Sequence, residues 1–90
     1  RRVKTSEVNA AVRELVARRQ PPQAAGQEVK LLYGAQVAVA PPTFAIVCSR
    51  PDSIPESYRR FLANGLRERF GFEGSPIRVR FTRRRRRGEP

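Results

Sequence analysis

Ninety residues carry nineteen basic and eight acidic side chains, a formal net charge of +11. That length bounds one domain with a modest core. A single cysteine, Cys48, excludes an intramolecular disulfide framework, and the absence of His removes the commonest general base and metal ligand.

Arg1 to Thr5 lead straight into a helical pattern, so no signal peptide is expected. Thr5-Ser6-Glu7 reads as a helix start, with a hydroxyl cap followed by an acid in the positive first turn. Val8, Val12, Leu15 and Val16 then form one apolar stripe. Arg18 and Arg19 suit the negative end of the helix, and Pro21-Pro22 stops it. Gln20 to Gln27 is a connector without periodicity.

From Val29 the period changes to two. Val29, Leu31, Tyr33, Ala35, Val37 and Val39 fall on one face, with Lys30, Gly34 and Gln36 on the other and Leu32 as the exception. The pattern predicts a long half-buried strand whose odd-numbered face is covered. Ala40-Pro41-Pro42 turns the chain into a second strand, where Phe44, Ile46 and Cys48 alternate with Ala45 and Val47. Both faces of that strand are apolar, so it is either central or covered by something outside this chain. Leu31 to Ser49 is uncharged over nineteen residues, about the length of a membrane span. Its central prolines and its alternation predict a hairpin instead.

Ser53-Ile54-Pro55-Glu56 has the spacing of a capping box with proline in the first turn. Tyr58, Phe61, Leu62, Leu66 and Phe70 make the stripe of a second helix. Gly65 inside that helix costs about 1 kcal/mol relative to alanine, and Gly71 is placed to end it in a left-handed conformation. Ile77, Val79 and Phe81 alternate with Arg78, Arg80 and Thr82, a third strand oily on one face and cationic on the other. The order is α-β-β-α-β, an α+β domain with both helices on one face of a three-stranded sheet. Residues 1–82 form the domain, and 83–90 read as a basic, disordered tail.

Few residues offer chemistry. There is no GxxxxGK[ST] loop for a nucleotide, the acids are scattered, and Cys48 reads as a small core residue. No catalytic residue, metal site or cofactor is assigned. The basic residues remain. Two of the nineteen are lysines, Lys4 and Lys30, and the rest are arginines, whose planar forks pair with phosphate. Arg78 and Arg80 stand about 6.5–7 Å apart along one strand face, and Arg83 to Arg87 continue from it. Helical arginines are read as solubilising. Most aromatics read as core, with Tyr33 partly exposed. Phosphate and shape contact is therefore favoured over base readout.

Several motifs occur in order: Arg2-Val3-Lys4-Thr5 with Val8-Asn9, Pro21-Pro22, Lys30 to Gln36, Pro41-Pro42-Thr43-Phe44, Pro55 to Arg60, and Gly71 to Arg78. Singly each is weak. The ordered set resembles the C-terminal KH-like domain of the Der (EngA) family of bacterial GTPases, over almost the whole chain. The resemblance implies a KH-like fold downstream of two tandem GTP-binding domains, which hold the GTP. It implies a cytoplasmic protein acting in large ribosomal subunit biogenesis. This chain would be its RNA- and ribosome-docking, regulatory part, a monomer with no membrane role. Its partners would be ribosomal RNA and the upstream GTPase domains. The GxxG loop of ordinary KH domains is absent, which directs RNA contact to Lys30, Arg78, Arg80, Arg83, Arg84, Arg85, Arg86 and Arg87. Leu32, Ala45 and Val47 would meet a GTPase domain. The alternative is a protein-protein module that relays nucleotide state without touching RNA. Cys48-Ser49 stands where the family often ends its strand in Asn, so Ser49 is assigned none of that residue's hydrogen bonds.

Overall fold

Helix α1, Thr5–Arg18, buries Val8, Ala11, Val12 and Leu15, and helix α2, Glu56–Arg69, buries Tyr58, Leu62 and Leu66. Both stripes lie where the 3.6-residue period puts them. A computed structural model of the chain describes residues 2–84. Between the helices run β1 (Leu31–Val39), β2 (Pro42–Cys48) and a 3-10 turn (Pro51–Ser53), and β3 (Arg78–Arg83) closes the order. The sheet is β1-β2-β3, with β1 antiparallel to β2 and β2 parallel to β3. A tight turn can join only the antiparallel pair, whereas the parallel pair needs the longer crossover that α2 supplies. Strand β2 is central, with Phe44, Ile46 and Cys48 buried in the core and Ala45 and Val47 half-buried on its other face. Among the described residues no helix is long and apolar enough to cross a membrane. The uncharged stretch 31–49 is taken up by the hairpin.

Both helix starts differ from the expected caps. Lys4 and Pro55 hold the N-cap positions, and neither makes a side-chain cap. Thr5 is already helical, and Ser53 closes the 3-10 turn, too early to cap α2. Glu7 and Glu56 do lie in the first turns, so the helix-dipole part of the reading holds. The end of α2 is as expected. Gly71 has φ +74°, Phe72 N–H donates to the Arg67 carbonyl at 2.8 Å and Gly71 N–H to that of Glu68 at 3.4 Å. This is the Schellman pairing that a left-handed glycine permits.

Strand β1 corrects the expected face. Tyr33 is 52% and Val37 50% exposed, while Gly34 and Gln36 are buried. The first of two bulges causes the inversion, and the second restores the original phase after Val37. Leu31 pairs with Cys48 and Tyr33 with Val47, leaving Leu32 as an inserted residue, and Val37 is inserted likewise between Gln36 and Ala38. One added residue flips every following side chain to the other face. Val29 and half-buried Leu31, before the first bulge, face inward as the pattern predicts.

Gly34 then lies under α1, where an added Cβ would come within 2.7 Å of Ile46 Cδ1 and 3.5 Å of Val8 Cγ1. The close approach lets Asn9 act as a substitute strand partner. Its Oδ1 accepts from Gly34 N–H at 2.8 Å, and its Nδ2 donates to the Gly34 carbonyl at 3.1 Å. Asn9→Ala strands both backbone groups beneath the helix. The expected loss is about 1–3 kcal/mol, read as a lower urea midpoint with an unchanged m-value. An unchanged midpoint would show that water replaces the amide at no cost.

Phe44, Ile46, Cys48, Tyr58, Leu62, Leu66 and Val8 are fully buried at the centre. The Tyr58 hydroxyl donates to the Arg19 carbonyl at 2.7 Å. Burial pushes its ionisation up to about 12, against a smaller opposing pull from the Arg19 charge. Burial likewise raises the Cys48 thiol, which disfavours the reactive thiolate. Gly65, unfavourable by helix propensity, sits where α2 meets α1. An added Cβ would clash with the Leu15 side chain.

Candidate nucleic-acid interface

The helices cover one face of the sheet and leave the other open. The register sets out the open face row by row. Tyr33, Val47 and Thr82 form one row, and Ala35, Ala45 and Arg80 the next. Ala38, Thr43 and Arg78 form the third, with Thr43 itself buried and its hydroxyl donating to the Pro41 carbonyl at 2.9 Å. On β3, Val79 and Phe81 pair with core residues Phe44 and Ile46 and pack against the core, while Arg78, Arg80 and Thr82 are exposed. The expected split of β3 into an oily and a cationic face therefore holds. Among the described residues no strand contains an Asp or Glu, so no strand residue on the open face neutralises Arg78 or Arg80.

A second group of cations lies at one end of the sheet. Ser49 Oγ accepts from Lys30 N–H at 2.9 Å, and Ser49 N–H donates to the Lys30 carbonyl at 2.9 Å. Serine thus makes a bond at this strand end, although the sequence assigns it none. Lys30 is held beside the end of β2, and Arg83, on the far side of β2, pairs with Cys48. Neighbouring strands are about 4.8 Å apart, which puts the Lys30 and Arg83 backbones about 10 Å from each other. Arg83 belongs to β3, so the strand runs one residue past the predicted boundary. Arg84 is exposed just beyond it. Arg85, Arg86 and Arg87 lie outside the described residues. Arg50 follows Ser49 at the same end, a cation that sequence reasoning passed over because it sits in a loop with no period.

The helical arginines divide differently from the expectation that they only solubilise. Arg59 Nε donates to the Ile54 carbonyl, Nη2 donates to that of Pro51, and the guanidinium lies 4.6 Å from the Phe81 ring centre. Arg19 stacks 5.2 Å from Phe61. Arg67 donates to the Ser75 carbonyl and to Asn64, and Arg69 is paired with Glu14 across the helices. These four tie elements together. Their signal in the sequence was the aromatic residue or carbonyl-rich turn nearby, legible only once the partner is known.

The three expected interdomain residues separate. Ala45 and Val47 lie on the open face in the same rows as Tyr33 and Arg80, half-buried and facing away from the helices. Leu32, 38% exposed, borders a groove lined by Val12, Arg13, Val16 and Gln20. The open face therefore combines apolar and cationic residues on one surface. Among the described residues no group of three His, Cys, Asp or Glu could hold a metal. Neither helix starts on a glycine loop: α1 opens on Lys4 and α2 on Pro55.

Residues 2–82 match the sequence profile described as KH-domain-like of EngA bacterial GTPase enzymes, C-terminal. The chain is 60% identical over 79 residues to a GTPase Der of Gemmatimonas aurantiaca, covering 88% of this chain and 18% of that protein. It is 53% identical over 87 residues to GTPase Der of Moorella thermoacetica, covering 97% and 20%. It is also 53% identical over 78 residues to GTPase Der of Parvibaculum lavamentivorans, covering 87% and 16%. The chain thus spans at most about one-fifth of the length of these curated relatives.

Proposed function

The chain belongs to the family of KH-domain-like C-terminal domains of EngA bacterial GTPases, and from that premise we propose that it docks its parent on RNA of the large ribosomal subunit during assembly of that subunit in the cytoplasm. The observation that carries this reading is the acid-free outer face of β3, where Arg78 and Arg80 stand free beside the cationic sheet end. Guanidinium groups at strand spacing suit successive phosphates of one RNA backbone. GTP would be bound and hydrolysed by upstream domains, and this chain would contribute no catalytic group.

Arg78→Ala with Arg80→Ala tests the proposal. Co-sedimentation with large ribosomal subunits over a salt series should show weaker binding, with the log-log salt slope reduced by about 1.4–1.8 for two phosphate contacts. Unchanged affinity and slope would remove β3 from the interface.

A second reading is favoured by Tyr33, Val37, Ala45 and Val47, which expose an apolar surface beside those arginines. On this reading the open face docks on an upstream GTPase domain and relays its nucleotide state. Such a contact would respond weakly to salt.

A further inference from the structure

The open sheet face holds one aromatic ring that the phosphate reading does not use. Tyr33 is 52% exposed, although a tyrosine ring gains from burial wherever a fold can cover it. Among the described residues it makes no ring contact, whereas the other tyrosine, Tyr58, packs on Phe61 and is bonded through its hydroxyl. The neighbouring row consists of Ala35 and Ala45, whose methyl groups leave a low floor beside the Tyr33 ring. Arg80 closes that row on β3 and Arg78 the next. The face thus presents an aromatic side chain, a flat apolar floor and two guanidinium groups at the far edge, with no acid among them.

We propose that this face is a single-stranded RNA platform, on which an unpaired base stacks against Tyr33 over the Ala35–Ala45 floor while the backbone runs past Arg80 and Arg78. Open sheets bind single strands in this way because every base has a π-face and the flanking cations track the phosphates. A duplex keeps its bases stacked inside and cannot offer one to Tyr33. The charge complementarity of the rim favours RNA over a protein as the occupant. Backbones of β1 and β3 lie about 10 Å apart, a reach that a single nucleotide and its flanking phosphate can span. The inference rests on the RNA-docking proposal and adds to it a discrimination between unpaired and paired RNA.

The test uses the 90-residue chain with a ten-nucleotide oligouridylate and, separately, an RNA duplex of equal phosphate number. The chain has no Trp, so tyrosine fluorescence reports the contact directly. The single strand should quench it and the duplex should not. Tyr33→Leu should abolish the quenching and weaken single-strand binding about tenfold or more, with the salt slope and the duplex affinity unchanged. Tyr33→Phe should retain most of the affinity. Circular dichroism checks that each variant is folded. If Tyr33→Leu binds the single strand as tightly as the parent while Arg78→Ala with Arg80→Ala binds weakly, stacking is overturned and phosphate docking stands. If the chain binds neither RNA at low salt, both proposals fail. If a GTPase-domain partner protects Tyr33 and oligouridylate does not compete, the face is a protein interface and the platform is overturned.

Discussion

A chain ending at Thr82 should lose most of its affinity for large ribosomal subunits. The truncation removes Arg83 to Arg87, five consecutive guanidinium groups. Each phosphate neutralised contributes about 0.7–0.9 to the log-log salt slope, so five contacts would lower it by about 3.5–4.5. A block of like charges repels itself in the free chain, and a polyanion relieves that repulsion. The fold should survive, because only the last rung of the β2–β3 ladder, Cys48 with Arg83, is lost. Cys48 itself stays buried in the core. Co-sedimentation across a salt series measures the effect, with circular dichroism to check the fold. If the truncated chain binds with the parent's slope, the arginine block makes no phosphate contact and the open sheet face carries docking alone. If neither chain binds at low salt, the interdomain relay becomes the better reading.

Phe44→Ala is expected to produce the largest loss of stability. Phe44 is fully buried on the central strand, paired with Gln36 of β1 on one side and Val79 of β3 on the other. Its ring stacks 6.1 Å from Phe70, at the end of α2, and 6.4 Å from Phe72, just beyond it. Truncation leaves a cavity where three elements meet, and two aromatic partners fixed by the Gly71 turn cannot follow it inward. Large-to-small changes of this kind cost about 3–5 kcal/mol. A small domain has only about 5–15 kcal/mol in total. At about 4–8 °C per kcal/mol for a domain this size, the melting temperature should fall by about 12 °C or more. Thermal unfolding followed by circular dichroism reads the change, and Phe44→Leu should recover much of it. A drop of less than about 1 kcal/mol would mean that Phe70 and Phe72 collapse into the space, and that α2 is held more loosely than its packing implies.

Within a single element, local rules determine most of what is seen. The stripes of α1 and α2, the hairpin in place of a membrane span, the glycine end of α2 and the two-faced β3 follow from residue period and backbone preference. The fold class and the family resemblance were legible for the same reason: they rest on order and spacing along one chain. The helix caps were misplaced by a residue or more, because capping side chains compete with nearby turns for the same polar groups, and Ser53 was drawn into the 3-10 turn. The face of β1 is inverted between the bulges at Leu32 and Val37. Sequence fixes alternation, but phase depends on where a residue is inserted, and the bulge at Leu32 arises from pairing with Cys48 and Val47, more than a dozen residues away. The close approach of α1 at Gly34, held by Asn9, then keeps that phase. The candidate site divides along the same line. Its cations were countable from composition. That Tyr33, Ala45 and Val47 share one open surface with Arg78 and Arg80, while Leu32 lies apart beside α1, was decided only by the register of three strands distant in sequence, because hydrogen bonds across a sheet carry no signature in any one strand.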